Sequence, residues 1–161
     1  VLNVSVFSAA AGGKILQVVS IEKTDTFSTT SSSFVDITGL SVAITPSAES
    51  SKILVMTTAS LSNSVAIRGS FIRLLRDSTV IFQGDASGAG NNRALRHARV
   101  TATDELYPYG GSMVDSPSST SEITYKIQLM AGGSTAYLNR TGLGSSEIRS
   151  ASGLIAMEIS A

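Results

Sequence analysis

Apolar and polar residues alternate along this chain in short runs, and turn-forming residues separate one run from the next. In residues 123–129, apolar side chains at the odd positions alternate with Thr, Lys and Gln, which predicts a strand with one buried and one wet face. Residues 52–58 (KILVMTT) form a continuous apolar run, typical of a strand that is central in a sandwich or covered on both faces. A sustained helical period is almost absent.

The remaining runs extend this pattern over most of the chain. Asp77 and Ser78 are predicted to join two of the runs as a β-hairpin. The last run places Ile155, Met157 and Ile159 on one side of a strand and Ala156 and Glu158 on the other. Nine to eleven short strands predict an all-β fold, an antiparallel β-sandwich of jelly-roll or immunoglobulin-like type. The further predicted strands are residues 14–20, 26–30, 34–38, 40–45, 71–76, 79–82, 135–139 and 155–159.

Three stretches lack a clear strand signal. Residues 84–92 (GDASGAGNN) are the loosest part of the chain, and residues 110–121 also look turn-forming. Residues 93–100 (RALRHARV) fit either one or two helical turns or an exposed strand. The chain is predicted to comprise an N-terminal arm at residues 1–12 and one sandwich domain at residues 13–161.

The N-terminal arm is apolar at several positions. It lacks the basic region of a signal peptide, and Asn3 and Ser5 interrupt the apolar run, so a strand or an assembly arm is expected. No stretch approaches the ~20 apolar residues of a membrane span, so membrane insertion is not expected. The residues predicted to make assembly contacts are Val1, Leu2, Val4, Val6 and Phe7.

Charge and cysteine content remove several classes of function. The formal net charge is +0 and only 15% of the residues are charged, so there is no basic field to attract a nucleic acid. Cysteine is absent, which excludes disulfides and thiolate metal ligands. A weakly charged surface suits a chain that packs against copies of itself, because few charges must be desolvated on association.

Three blocks of the chain resemble a domain found in tail-fibre and other virion structural proteins of tailed bacteriophages, especially marine and cyanobacterial ones. They are residues 13–56, residues 71–85 (FIRLLRDSTVIFQGD), and residues 137–161, which close on Ala156-Met157-Glu158-Ile159. The resemblance implies a β-sandwich, a place in the virion and a homotrimer. It carries no catalytic or binding residues to this chain.

The expected function follows from this resemblance. The leading hypothesis is a tail-fibre-type module whose trimer gives avidity to loops that touch a host surface glycan or protein. A second hypothesis is a capsid decoration or cement protein whose arm binds the major capsid protein. A third is an extracellular filament subunit whose arm adds a strand to a neighbour's sheet. The first two place the chain in the virion, an extracellular particle made in the host cytoplasm, with tail or capsid proteins as partners.

One segment is the best candidate for recognition. Its arginines recur at every third residue and could face anionic glycans, with tyrosines near enough to stack on sugar rings. The alternative is a solvated edge strand whose arginines protect the edge. The candidate contact residues are Arg93, Arg96, His97, Arg99, Tyr107 and Tyr109.

No catalytic or metal site is predicted. His97 is the only histidine, and no nucleophile or orienting acid is spaced to work with it, so an enzyme is not expected. The spacing of Gly84, Gly88 and Gly90 fails the dinucleotide fingerprint. Oxygen ligands for Ca²⁺ are present but lack a known loop pattern, so a solvated loop is expected and no metal or cofactor. These ligands are Asp85, Asn91, Asn92, Asp104 and Glu105.

Overall fold

The computed structural model describes residues 14–85, 94–143 and 148–160. These residues form eleven β-strands and no helix, so the all-β prediction is confirmed. The strands are β1 (Ile15–Lys23), β2 (Phe27–Thr29), β3 (Val35–Ile44), β4 (Lys52–Asn63), β5 (Gly69–Arg76), β6 (Thr79–Phe82), β7 (Arg96–Arg99), β8 (Tyr107–Asp115), β9 (Ile123–Gly132), β10 (Ala136–Leu138) and β11 (Ser152–Ile159).

The strands form two antiparallel sheets. In the first sheet, β4 is central: β8 pairs with one of its edges, and β11 and β10 pair with successive parts of the other. β1 lies outside β11, and β2 lies outside β10. In the second sheet the order is β3-β9-β5, and β6 and β7 pair with successive parts of the free edge of β5. The prediction that residues 52–58 form a central strand is confirmed.

One hydrophobic core joins the two sheets. Alternate residues of each strand point into it, as period-2 side-chain geometry requires. Tyr125, Ile127 and Leu129 are fully buried from β9, which confirms the predicted buried face of residues 123–129. Ile53 and Leu154 of the first sheet are fully buried in the same core. The described residues therefore pack as two layers of antiparallel sheet.

The prediction that residues 110–121 form turns was wrong for residues 110–115. They belong to β8, which pairs with β4 residue by residue from Asp115 opposite Ile53 to Tyr107 opposite Leu61. Pro108, Gly110 and Gly111 suggested a turn, but β8 is an edge strand, where a missing N–H donor is tolerated. Its inward-pointing side chains still alternate regularly with outward ones.

Three finer expectations are also settled by the backbone. Of the two states left open for residues 93–100, a strand is present at Arg96–Arg99. Residues 34–38 and 40–45 are one strand, β3, interrupted by Gly39 at φ 78°, where the register against β9 shifts. The β5–β6 hairpin is confirmed, with Asp77 at φ 53° in its turn.

Ile67 adopts a backbone conformation that β-branched residues rarely take. Its φ is 59° and its side chain is 65% exposed, so neither packing nor residue type favours the conformation. The backbone is held by the Ile67 amide, which donates to the Val100 carbonyl at 2.7 Å. Asparagine tolerates this conformation far better than isoleucine does.

We therefore expect Ile67→Asn to raise the free energy of unfolding by about 1 kcal/mol, the lower part of the usual cost of such strain. Urea denaturation at a protein concentration where the chain is monomeric measures this. Ile72→Asn, which places the same residue in the core, serves as the opposite control and should destabilise strongly. If Ile67→Asn is less stable than the wild-type chain, the backbone of Ile67 is not strained.

Candidate interaction surface

One row of outward side chains on the first sheet is apolar across four strands, with the charged Lys52 and Glu22 outside that row on the same side. Val18, Met157, Leu54 and Val114 lie directly opposite one another on β1, β11, β4 and β8 and form one cross-strand row. Val18 is 53% exposed and Val114 is 56% exposed. Together these outward side chains form what we call the apolar face: Leu16, Val18, Leu54, Met56, Val114, Ile155, Met157 and Ile159.

Next to that row the apolar face sinks into a concavity, which we call the hollow. In this part of the sheet Gly153 and Gly110 lie on either side of Thr58. Because glycine has no side chain, they leave space above the sheet. Met56 and Ile155 form its apolar side, and the exposed Glu22 lies at its margin. The hollow has a volume of about 780 Å³ and is open to solvent.

The outward side of the second sheet has the opposite character. Asp36 accepts hydrogen bonds from Lys126 at 2.8 Å and from Gln128 at 2.7 Å, and Gln128 also accepts from Arg73. The guanidinium of Arg73 lies over the Phe34 ring, 4.2 Å from its centre. Hydrogen bonds from Lys126 and Gln128 lower the pKa of Asp36. This side is an ordinary solvated sheet surface, so the two faces of the sandwich differ in chemistry.

A second apolar area lies where several loops meet at one end of the sandwich. Ser64 and Thr135 exchange two hydrogen bonds, and the Gly142 amide donates to the Thr103 carbonyl at 2.8 Å. We call this region, residues 64–68, 100–105, 133–135 and 139–143, the loop end. Val65 and Ile67 are exposed there, and Ile67 is flanked by Arg68 and by Arg99, whose Nε donates to the Ile67 carbonyl.

The structure places the predicted recognition residues partly together. His97 stacks on Phe71 with ring centroids 4.4 Å apart, and burial, followed by the charge of Arg99, lowers its pKa. The Tyr109 hydroxyl donates to the His97 carbonyl at 3.0 Å. Tyr107 and Tyr109 both point inward from β8 and pack against the core. Only His97 and Arg99 of this group are exposed in the described residues.

The other predicted contact residues fall on parts that the structure does not describe. Arg93 and the five arm residues Val1, Leu2, Val4, Val6 and Phe7 lie outside the described residues, and only the backbone of Arg96 is described. Sequence reasoning did not identify the apolar face as a site. The signal available was the unbroken apolar run of residues 52–58, because half of its side chains point outward in the folded chain.

Among residues 14–85, 94–143 and 148–160, no group of three His, Cys, Asp or Glu side chains could hold a metal ion. Of the acids considered for Ca²⁺, Glu105 accepts hydrogen bonds from Thr101 and from the Ala102 amide, which lower its pKa to about 2. Asn91 and Asn92 lie outside the described residues. In the part of the chain that is described, no helix is long and apolar enough to cross a bilayer.

Comparison with known proteins adds no relative: no protein-family model matches this chain, and no curated protein matches it. The structure therefore contributes to a functional assignment through the geometry of its surface. That geometry offers contact by burial of apolar area, with a largely apolar sheet face on one side and a polar sheet face on the other.

Proposed function

We propose that this chain is a structural module of a tailed-phage virion, a tail-fibre-type domain that assembles as a homotrimer and presents its loops to the host surface. The observation that carries the self-association is the apolar face of the first sheet. The virion setting is inferred from the resemblance of residues 13–56, 71–85 and 137–161 to phage virion domains. Catalysis has no part in this function.

The size of the apolar face fits the centre of a subunit interface. Strands about 4.8 Å apart that rise about 3.4 Å per residue give four strand positions, five residues long on β11 from Ile155 to Ile159, a face of roughly 19 by 17 Å. That area, roughly 320 Å², would form the apolar centre of an interface of ~800 Å² per partner, with polar residues around it. Apolar patches of roughly 300–600 Å² are often functional.

We also propose that the sandwich is a jelly roll. If strands that lie end to end are merged (β1 with β2, β6 with β7, β10 with β11), eight strand positions remain, four in each sheet. The first position then pairs with the eighth, the second with the seventh, the third with the sixth and the fourth with the fifth. This nested pairing is that of a long hairpin rolled into two sheets, and viral capsid proteins use such jelly rolls.

The test is the native mass of the purified chain and of two matched variants. The wild-type chain is expected at three times 16.6 kDa. Met56→Glu, which places a charge in the apolar face, should be monomeric, because a buried unpaired carboxylate strongly opposes association. Ala43→Glu, at an exposed position on the outward side of the second sheet, should remain trimeric. A wild-type chain that is monomeric at all concentrations would refute the proposal.

Removing residues Val1–Ala11 separates the alternatives. A trimer that survives the truncation supports a self-contained fibre domain. Open-ended assemblies that disappear with the arm would favour the strand-adding filament subunit. Binding of the intact but not the truncated trimer to major capsid protein would favour the decoration protein.

A further inference from the structure

We infer that the copies associate head to tail, with the loop end of one chain packed into the hollow on the apolar face of the next. This inference rests on the proposed self-association and names the two surfaces that meet. Any threefold ring is built from head-to-tail contacts, because each subunit uses two different patches. A twofold dimer uses one patch twice.

The distribution of exposed apolar side chains supplies two patches. Nine large apolar residues are exposed in the described parts of the chain, and all nine lie in two places. Five lie on β1, β4 and β8 of the first sheet: Ile15, Leu16, Val18, Met56 and Val114. Four lie in loops: Val65, Ile67 and Leu143 in the loop end, and Ile148 beside it, where its amide donates to the Thr141 hydroxyl. An interface that joins the two patches covers both, whereas face-to-face pairing leaves the loop residues in water.

The hollow needs a partner surface that fills it, and the loop end holds exposed apolar side chains in fixed positions. The hollow is concave, and face-to-face pairing would place one hollow opposite another and leave unfilled space. At the loop end, the Asn63 side chain accepts from the Val65 amide at 3.1 Å and the Val100 carbonyl accepts from the Ile67 amide. These hydrogen bonds hold the backbone of both residues while Val65 stays 48% exposed and Ile67 65% exposed.

Charged side chains of opposite sign lie beside Ile67 and in the hollow. Arg68 and Arg99 flank Ile67, and both are exposed. Glu22 lines the hollow and is exposed as well. The loop end also contains the acids Asp104 and Glu105, so the complementary contact is a local one, between the two arginines of one copy and Glu22 of the next. Opposite charges at a rim guide the orientation of the partners more than they add affinity.

A mixing experiment tests this directly. One variant, Met56→Glu, has a defective hollow and an intact loop end. The other, Val65→Ser with Ile67→Asn, has a defective loop end and an intact hollow. Each alone should raise the dissociation constant of assembly by about tenfold or more, since each removes burial of a large apolar side chain. A 1:1 mixture should recover one good interface and give a dimer of twice 16.6 kDa in native mass, without a trimer.

The outcomes distinguish a failure of the head-to-tail inference from a failure of the proposed function. If the loop-end variant forms the same trimer as the wild-type chain while Met56→Glu does not, the head-to-tail inference is overturned and self-association through the apolar face stands. If the mixture stays monomeric, the inference is also overturned. If the wild-type chain itself is monomeric, the proposed function fails. Far-ultraviolet circular dichroism of each variant excludes unfolding as the cause, and Ile67→Asn relieves strain rather than adding it.

Discussion

Replacing Asp115 by alanine is expected to lower the free energy of unfolding by about 3 kcal/mol, the lower end of the usual cost of breaking a buried charge pair. Asp115 accepts two hydrogen bonds from Arg76, at 2.8 and 3.0 Å, and one from the Tyr125 hydroxyl at 2.7 Å. Burial and the hydrogen bond to Asp115 raise the pKa of Tyr125, so this hydroxyl stays protonated and keeps donating. Without Asp115, both donors lose their acceptor inside the core.

The lower end applies because Arg76 keeps 24% of its side chain exposed, so water partly solvates the guanidinium that is left behind. Two controls bracket the measurement by urea denaturation. Tyr125→Phe removes one hydrogen bond and should cost about 1 kcal/mol. Asp36→Ala breaks the exposed pair with Lys126 and should cost less than about 1 kcal/mol. If Asp115→Ala loses no more stability than Asp36→Ala, the hydrogen bonds from Arg76 and Tyr125 to Asp115 do not stabilise the fold as expected.

The strands that alternate most clearly could be predicted from the sequence, but apart from the β5–β6 hairpin their pairing could not. Asp115 and Arg76 are 39 residues apart, and they meet because the pairing of β8 with β4 brings Asp115 within hydrogen-bonding distance of Arg76 at the end of β5. The residues around Asp115 also combine Pro108 with two glycines, which is the composition of a turn. The edge position that makes this composition tolerable depends on the sheet order, which local sequence does not contain.

The apolar face was hidden from sequence reasoning for a related reason. Its central row takes one residue from each of four strands, so no local pattern contains it. In β11 the sequence placed Ile155, Met157 and Ile159 on one side, and such a side is normally the buried one. The structure turns that side outward and places Ala156 and Glu158 inward, both fully buried. An inward carboxylate needs specific hydrogen-bond donors, and these come from distant parts of the chain.

The donors to Glu158 come from two distant segments. Its Oε1 accepts from the amide and hydroxyl of Ser47 and from the hydroxyl of Ser51, and its Oε2 accepts from Gln17 at 2.6 Å. Burial acts to raise the pKa of Glu158, but the hydrogen bonds from Ser47, Gln17 and Ser51 outweigh it and lower the pKa from 4.5 to about 2. The carboxylate therefore ties β11 to β1 and to the segment between β3 and β4.

We expect Glu158→Gln to lower the free energy of unfolding by about 1–3 kcal/mol at neutral pH, because hydrogen bonds to a charged acceptor become neutral ones. The new amide would also face the amide of Gln17, which cannot turn over without losing its 2.7 Å hydrogen bond to the Thr45 carbonyl. Glu22→Gln, at an exposed glutamate of the same sheet, is the matched control and should change stability by less than about 0.5 kcal/mol.

The stability that Glu158 contributes should depend on pH. Because the pKa of Glu158 is lower in the folded state than its ordinary value of 4.5, the stabilisation it provides is complete above pH 4.5 and is lost as the pH falls toward 2. Urea denaturation between pH 7 and pH 2.5 should therefore show the wild-type chain losing stability faster than Glu158→Gln, so that the gap between them narrows on acidification. A gap that stays constant over this range would mean that the carboxylate is not held in its charged form by these donors.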